Sequence, residues 1–138
     1  MRDQRLFLFD LDHTLLPFDS GLAWSRLLVE LGFLKESVAE MYLDHCMRYV
    51  AGHLSIEALH AFAASSLLPS DPDVLQACQA RFQAHLSARI SNAARLLVSS
   101  SQAAGLCAIV TATNELIAQP AAAAFGIPYD QHKLRTAI

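Results

Sequence analysis

The chain has 138 residues, 54% of them hydrophobic, and a formal charge of −3. That much apolar material excludes a disordered segment and suffices for one core with a small insert, while the acidic balance does not suit a nucleic-acid binder. No apolar run approaches the roughly 18 residues of a membrane span, and Cys46, Cys78 and Cys107 are odd in number, far apart and in no CxxC pair, which reads as reduced thiols of a cytoplasmic protein.

In chain order, residues 5–11 (RLFLFDL) read as a strand, a near-continuous apolar run of the kind found in parallel sheets covered on both faces. The run behind Arg2 and Arg5 is too short for a signal peptide and ends in acid. A helix then starts at Asp19 or Ser20, either of which can cap it, carries Trp24, Leu27, Leu28 and Leu31 inward, and stops at Gly32. A second helix turns Val38, Met41, Tyr42, Cys46, Tyr49 and Val50 to one side and ends at Gly52. Ser55 caps a third, with Ile56, Leu59, Phe62 and Ala63 inward. Asp71-Pro72 starts a fourth, as cap and first helical residue, with the stripe Leu75, Cys78, Phe82 and Leu86. A fifth helix runs from Asn92 to Gly105. LCAIVTA, 106–112, reads as a second buried strand, and a last helix follows in which Pro120 predicts a kink or a split.

Buried strands alternating with helices predict an α/β fold with a parallel sheet, whose site lies beyond the carboxyl ends of the strands. Asp10 and Asp12 end the first strand, and Thr111 and Thr113 end the second, which predicts one shared crevice. Two carboxylates roughly 6 Å apart repel by about 3 kcal/mol at an effective dielectric near 20. Either one takes a proton or a cation sits between them. A Mg²⁺ ion prefers such hard oxygens and usually accompanies phosphate. One carboxylate can then attack phosphorus, and the other can protonate the leaving oxygen and later activate water. Thr111 offers a hydroxyl, and the start of the next helix offers amides, to the phosphate oxygens. The plainer alternative is that Asp12 caps a turn with His13 and Thr14 while Asp10 is a paired structural acid. His45, His53, His60, His85 and His132 are scattered without metal-ligand spacing and read as surface or satisfied core residues.

FDLDHTLL, residues 9–16, resembles the first motif of the haloacid dehalogenase-like (HAD) superfamily, DxDx[TV][LV] after an apolar strand, and AIVTATN, 108–114, is similar to its second motif. The helical stretch between them resembles the phosphoserine-phosphatase-like branch. The resemblance implies a partial HAD Rossmann-like parallel sheet with an inserted α-helical cap, divided into a core of residues 1–16 and 91–138 and a cap of residues 17–90. It implies a Mg²⁺-dependent phosphomonoester hydrolase of a small phosphorylated metabolite, working through an aspartyl phosphate. Asp10 then matches the nucleophile and a metal ligand. Asp12 matches the general acid/base, with its backbone carbonyl on the metal. Thr111 and the amide of Ala112 match the phosphate-binding pair. Asp19 stands where phosphoserine phosphatases carry a Glu for the substrate amine, a methylene shorter, and Ala112-Thr113 stands where they carry a Gly pair, so phosphoserine itself does not follow.

The same resemblance implies a third-motif Lys and a fourth-motif acidic pair farther on. Lys133 is the only lysine after Thr111 and stands close to it, in a polar tail, and no acidic pair follows Asp130. The expectation is therefore an N-terminal part of a phosphatase, from a fragment, a frameshift near residue 128 or a truncation. Its sheet edges would invite self-association. The alternative function is a non-catalytic binding module built on the helices of residues 20–90.

Overall fold

A computed structural model describes residues 5–127. The order is β1 (Arg5–Asp10), a tight loop (Leu11–Leu15), α1 (Ser20–Glu30), α2 (Glu36–Val50), α3 (Ile56–Ser66), α4 (Pro72–Ser87), α5 (Asn92–Ala104), β2 (Gly105–Val110) and α6 (Glu115–Phe125). The fold is α/β, mostly helical around a small sheet. Among the described residues that sheet has two strands, β1 and β2, paired in parallel from Arg5 against Gly105 to Asp10 against Val110. Because the strands are parallel and in step, both carboxyl ends open on the same side.

Local chemistry sets the helix ends. Asp19, Ser55, Asp71 and Ser91 each accept a backbone N–H of the helix they precede, from Leu22, Ala58, Asp73 and Ala94. The chain leaves α1 and α2 through Gly32 and Gly52, both at positive φ. Each strand is a residue or two shorter at its carboxyl end than its apolar run. Leu11 leaves β1 to enter the loop, and β2 stops at Val110, so Thr111 and Ala112 lie past the sheet.

Pro120 does not split the last helix; α6 is continuous across it. Proline cannot donate to the carbonyl four residues back. That carbonyl, on Leu116, is instead taken by the side-chain amide of Gln79 in α4 at 2.7 Å. Proline is tolerated there because a neighbouring helix supplies the missing donor.

The core is one cluster centred on Trp24, Phe82, Leu28 and Leu86. Trp24 meets Phe82 edge to face, with centroids 5.3 Å apart, and its indole N–H donates to the Leu67 carbonyl at 2.8 Å. Helix α4 lies along α6, and α1 packs on α2, α4 and α6. The second helix departs from its sequence pattern. Tyr42 and Ala39 are buried, but Met41, Tyr49 and Val50 are exposed. The periodicity located a face of α2, while only the part opposite α1 and α3 found something to pack on.

Among the described residues the sheet is covered on one side. Phe9, Cys107 and Ile109 face the core. Leu6, Leu8 and Leu106 point the other way and are 48%, 48% and 56% exposed. No helix of the described residues is long and apolar enough to cross a membrane. The three cysteines are free thiols, with Cys78 buried and the other two half-buried.

Candidate active site

The site begins where β1 ends. Asp10 is exposed; one of its carboxylate oxygens accepts the N–H of Leu11 at 2.9 Å and the other the hydroxyl of Thr14 at 3.3 Å. The loop then closes on itself, with the Leu16 N–H donating to the Leu11 carbonyl at 3.0 Å, and His13 takes a left-handed conformation with φ of 56°. This turn carries Asp12 inward. Its Oδ1 accepts the N–H of Ser20 at 2.6 Å, and its Oδ2 accepts the hydroxyl of Thr113 at 2.7 Å. Ser20 Oγ lies 2.9 Å from the same Thr113 oxygen. Since the single Thr113 proton goes to Asp12, Ser20 is the donor in that pair. The two motif ends, about a hundred residues apart in the chain, are thus joined by Asp12, Thr113 and Ser20.

Ser20 is fully buried and opens α1, whose free N–H groups and positive dipole end favour carboxylates. Two carboxylates answer them: Asp12 at the Ser20 N–H, and Asp19 at the Leu22 N–H, 2.9 Å away. Burial pushes the Asp19 carboxyl above its ordinary range. The Leu22 and Gly21 N–H groups and His13 oppose that rise, while the charge of Asp12 adds to it. Tyr42 closes over this helix start. A Cβ on Gly21 would come within 2.2 Å of the Tyr42 hydroxyl, so glycine there lets α2 approach. Burial first, and then the neighbouring Cys46 and Asp19, raise the Tyr42 hydroxyl far above its usual range.

Past β2, the Thr111 hydroxyl accepts the Thr113 N–H at 3.1 Å, and Asn114 caps α6 by accepting the Leu116 N–H. The Ala112 carbonyl accepts a hydrogen bond from His60 Nε2 of α3.

A cavity of about 250 Å³ opens here. Asp12, Asp19 and Ala112 line it, together with Thr113, Tyr42 and His60. Asp10 and Thr111 are not part of its lining; they stand at the strand ends beside it. The sequence alone places Thr113 in the crevice without a chemical task, and it marks Ser20 only as a rival helix cap, Tyr42 as part of a helical stripe and His60 as one of several scattered histidines. His60 is exposed and satisfied, as a surface histidine should be, but its partner is the site loop.

Among the described residues no group of three or more His, Cys, Asp or Glu gathers as a metal cage. What is present is a pair of hard oxygen donors, the exposed Asp10 carboxylate and the backbone carbonyl of Asp12. That set fits a Mg²⁺ ion that keeps several waters and shares phosphate oxygens, and it does not fit a thiolate or imidazole metal. Both carboxylate oxygens of Asp12 are already engaged by protein donors.

Lys133 and the tail in which the sequence reading placed a frameshift lie outside the described residues. A family model described as haloacid dehalogenase-like hydrolase matches residues 7–136. A histidinol-phosphatase of Neisseria meningitidis serogroup C (strain 8013) is 33% identical over 127 residues, which are 90% of this chain and 57% of that protein. The crystal structure of a protein of unknown function from Bordetella pertussis Tohama I superposes with a TM-score of 0.73 at 33% identity, covering 91% of this chain and 59% of that one. The chain thus spans somewhat less than three fifths of the length of both relatives. With the Asp10–Asp12 loop and the Thr111–Thr113 loop side by side at the end of a parallel strand pair, the chain belongs to the haloacid dehalogenase-like hydrolases.

Proposed function

We propose that this chain carries the nucleophile half of a phosphomonoester hydrolase acting on a small phosphorylated metabolite. One observation supports this above the rest: Asp12 is tied to Thr113 across the strand ends, so the acid loop and the hydroxyl loop face one opening. The Asp10 carboxylate attacks phosphorus, the ester oxygen leaves with a proton from Asp12, and a water deprotonated by Asp12 then releases phosphate from the aspartyl phosphate. The Thr111 hydroxyl and the Ala112 amide hold phosphoryl oxygens. A proton on Asp12 Oδ2 reverses this chain of bonds: Asp12 then donates to Thr113 Oγ1, and the Thr113 and Ser20 hydroxyl protons both turn away from their present acceptors. Mg²⁺ held by Asp10 and the Asp12 carbonyl would neutralise charge on the phosphoryl group.

The cavity also bears on the substrate. Two carboxylates, Asp12 and Asp19, share it with the rings of Tyr42 and Tyr49. Such walls suit a phosphorylated amine carrying a flat or apolar group, and Asp19 is the residue to meet the amine. The printed activity of the Neisseria relative makes histidinol phosphate the first substrate to test, ahead of phosphoserine. In this reading residues 17–90 form the helical cap of the phosphoserine-phosphatase-like branch over a core of residues 1–16 and 91–138, and the protein works in the cytoplasm. The open sheet face is where copies of the chain would associate. The second reading, a binding module without turnover, is favoured by the sparse metal ligands of the described residues.

The test is hydrolysis of histidinol phosphate by the 138-residue chain, with Mg²⁺ and with chelator, beside Asp10→Asn. The expected result is Mg²⁺-dependent turnover that falls by orders of magnitude in the variant. Undiminished turnover by Asp10→Asn rejects the nucleophile, and a folded, inert wild-type chain favours the binding module.

A further inference from the structure

We propose that His60 is a positioning residue that fixes the Ala112–Thr113 peptide from the helical insert and so holds the phosphate loop in its binding shape. The inference rests on the phosphatase reading and goes beyond it, because it assigns a role to a side chain of α3.

The segment between β2 and α6, residues 111–114, is irregular and needs outside partners for its backbone groups. The peptide unit joining Ala112 to Thr113 has both. Its carbonyl oxygen accepts from His60 Nε2, and its N–H donates to Thr111 Oγ1 at 3.1 Å. The Thr113 side chain is then pinned by Asp12. One peptide plane is therefore held at both ends, once from within the loop and once from 52 residues away in sequence. Rotation of that plane would take the Thr113 N–H off Thr111 Oγ1 and so loosen the hydroxyl assigned to phosphate. A carbonyl can only accept, so His60 must carry its proton on Nε2, which fixes the tautomer. His60 also lines the cavity with Asp12 and Asp19, so the clamp lies at the substrate opening.

The experiment is NMR on the full chain near pH 8, where an ordinary imidazole is neutral. It reads the His60 ring nitrogens, the Ala112 and Thr113 amides, and a titration with inorganic phosphate. His60→Ala and His60→Gln are compared with wild type, since the glutamine amide can donate as Nε2 does. Expected are an Nε2–H tautomer in wild type and a shifted, faster-exchanging Thr113 amide in His60→Ala. Phosphate affinity should fall about tenfold in that variant and return to within about twofold in His60→Gln, the size of one lost hydrogen bond. An Nδ1–H tautomer, an unmoved Thr113 amide in His60→Ala, or a glutamine variant as weak as the alanine one overturns the clamp. Absence of phosphate binding in every variant, with ring and amide responses intact, overturns the phosphatase reading and leaves the clamp standing.

Discussion

The two faces of the sheet are built from the same kind of residue and live in different surroundings. On the inner face Ile109 is 2% exposed, and Phe9 and Cys107 pack against the helical core. On the outer face Leu6, Leu8 and Leu106 stand about half in solvent. Apolar alternation normally separates a core face from a polar one, whereas strands buried on both sides read as unbroken apolar runs. This sheet carries the second pattern and shows cover, among the described residues, for one side only. An apolar sequence thus states what a face needs, and the neighbours decide whether the need is met.

The sharpest contrast between the faces comes from truncating the inner one. Ile109→Ala should cost about 2–5 kcal/mol of stability in chemical denaturation, the usual range for emptying a close-packed site. A loss under about 1 kcal/mol would mean the inner face is no better packed than the outer. Gly105→Ala tests the seam between the strands. Its new Cβ would meet the Arg5 carbonyl oxygen at 2.3 Å, a backbone atom that cannot step aside without moving β1. The expected penalty is about 1–3 kcal/mol, with the first residues of β1 losing hydrogen-exchange protection before the rest. The smallest change in stability belongs to the outer face. Leu8→Lys with Leu106→Lys should alter it by no more than about 1 kcal/mol and remove concentration-dependent association in sedimentation. Wild-type protein that stays monomeric at every concentration would break the proposal that copies pair there.

Much of this architecture could be read from the chain because it is local. Asp19, Ser55 and Asp71 cap helices through bonds that reach two or three residues, and Gly52 ends α2 with its own φ. The acid pair was visible for the same reason, two carboxylates at the end of an apolar run. The partners of Asp12 were not. Ser20 and Thr113 meet it only after the strands align and α1 turns back, and no periodicity encodes an encounter between residues 101 apart. Met41 and Val50 were misplaced because a helical stripe fixes an angle around its own axis and says nothing of where a neighbour ends. His60 was unreadable for a related reason: its acceptor is a backbone carbonyl, which every residue has.

The Gln79–Leu116 bond across Pro120 bears on how this chain could be taken apart or recombined. Gln79 sits in the stretch between the two motifs, and Pro120 sits after the second. A chimera that kept this chain's α6 but took the intervening helices from another hydrolase would leave the Leu116 carbonyl without a donor, unless the incoming helix carried one in place of Gln79. The helices between the two motifs and α6 are therefore coupled at this point, and a recombinant protein that keeps Pro120 should keep Gln79 with it.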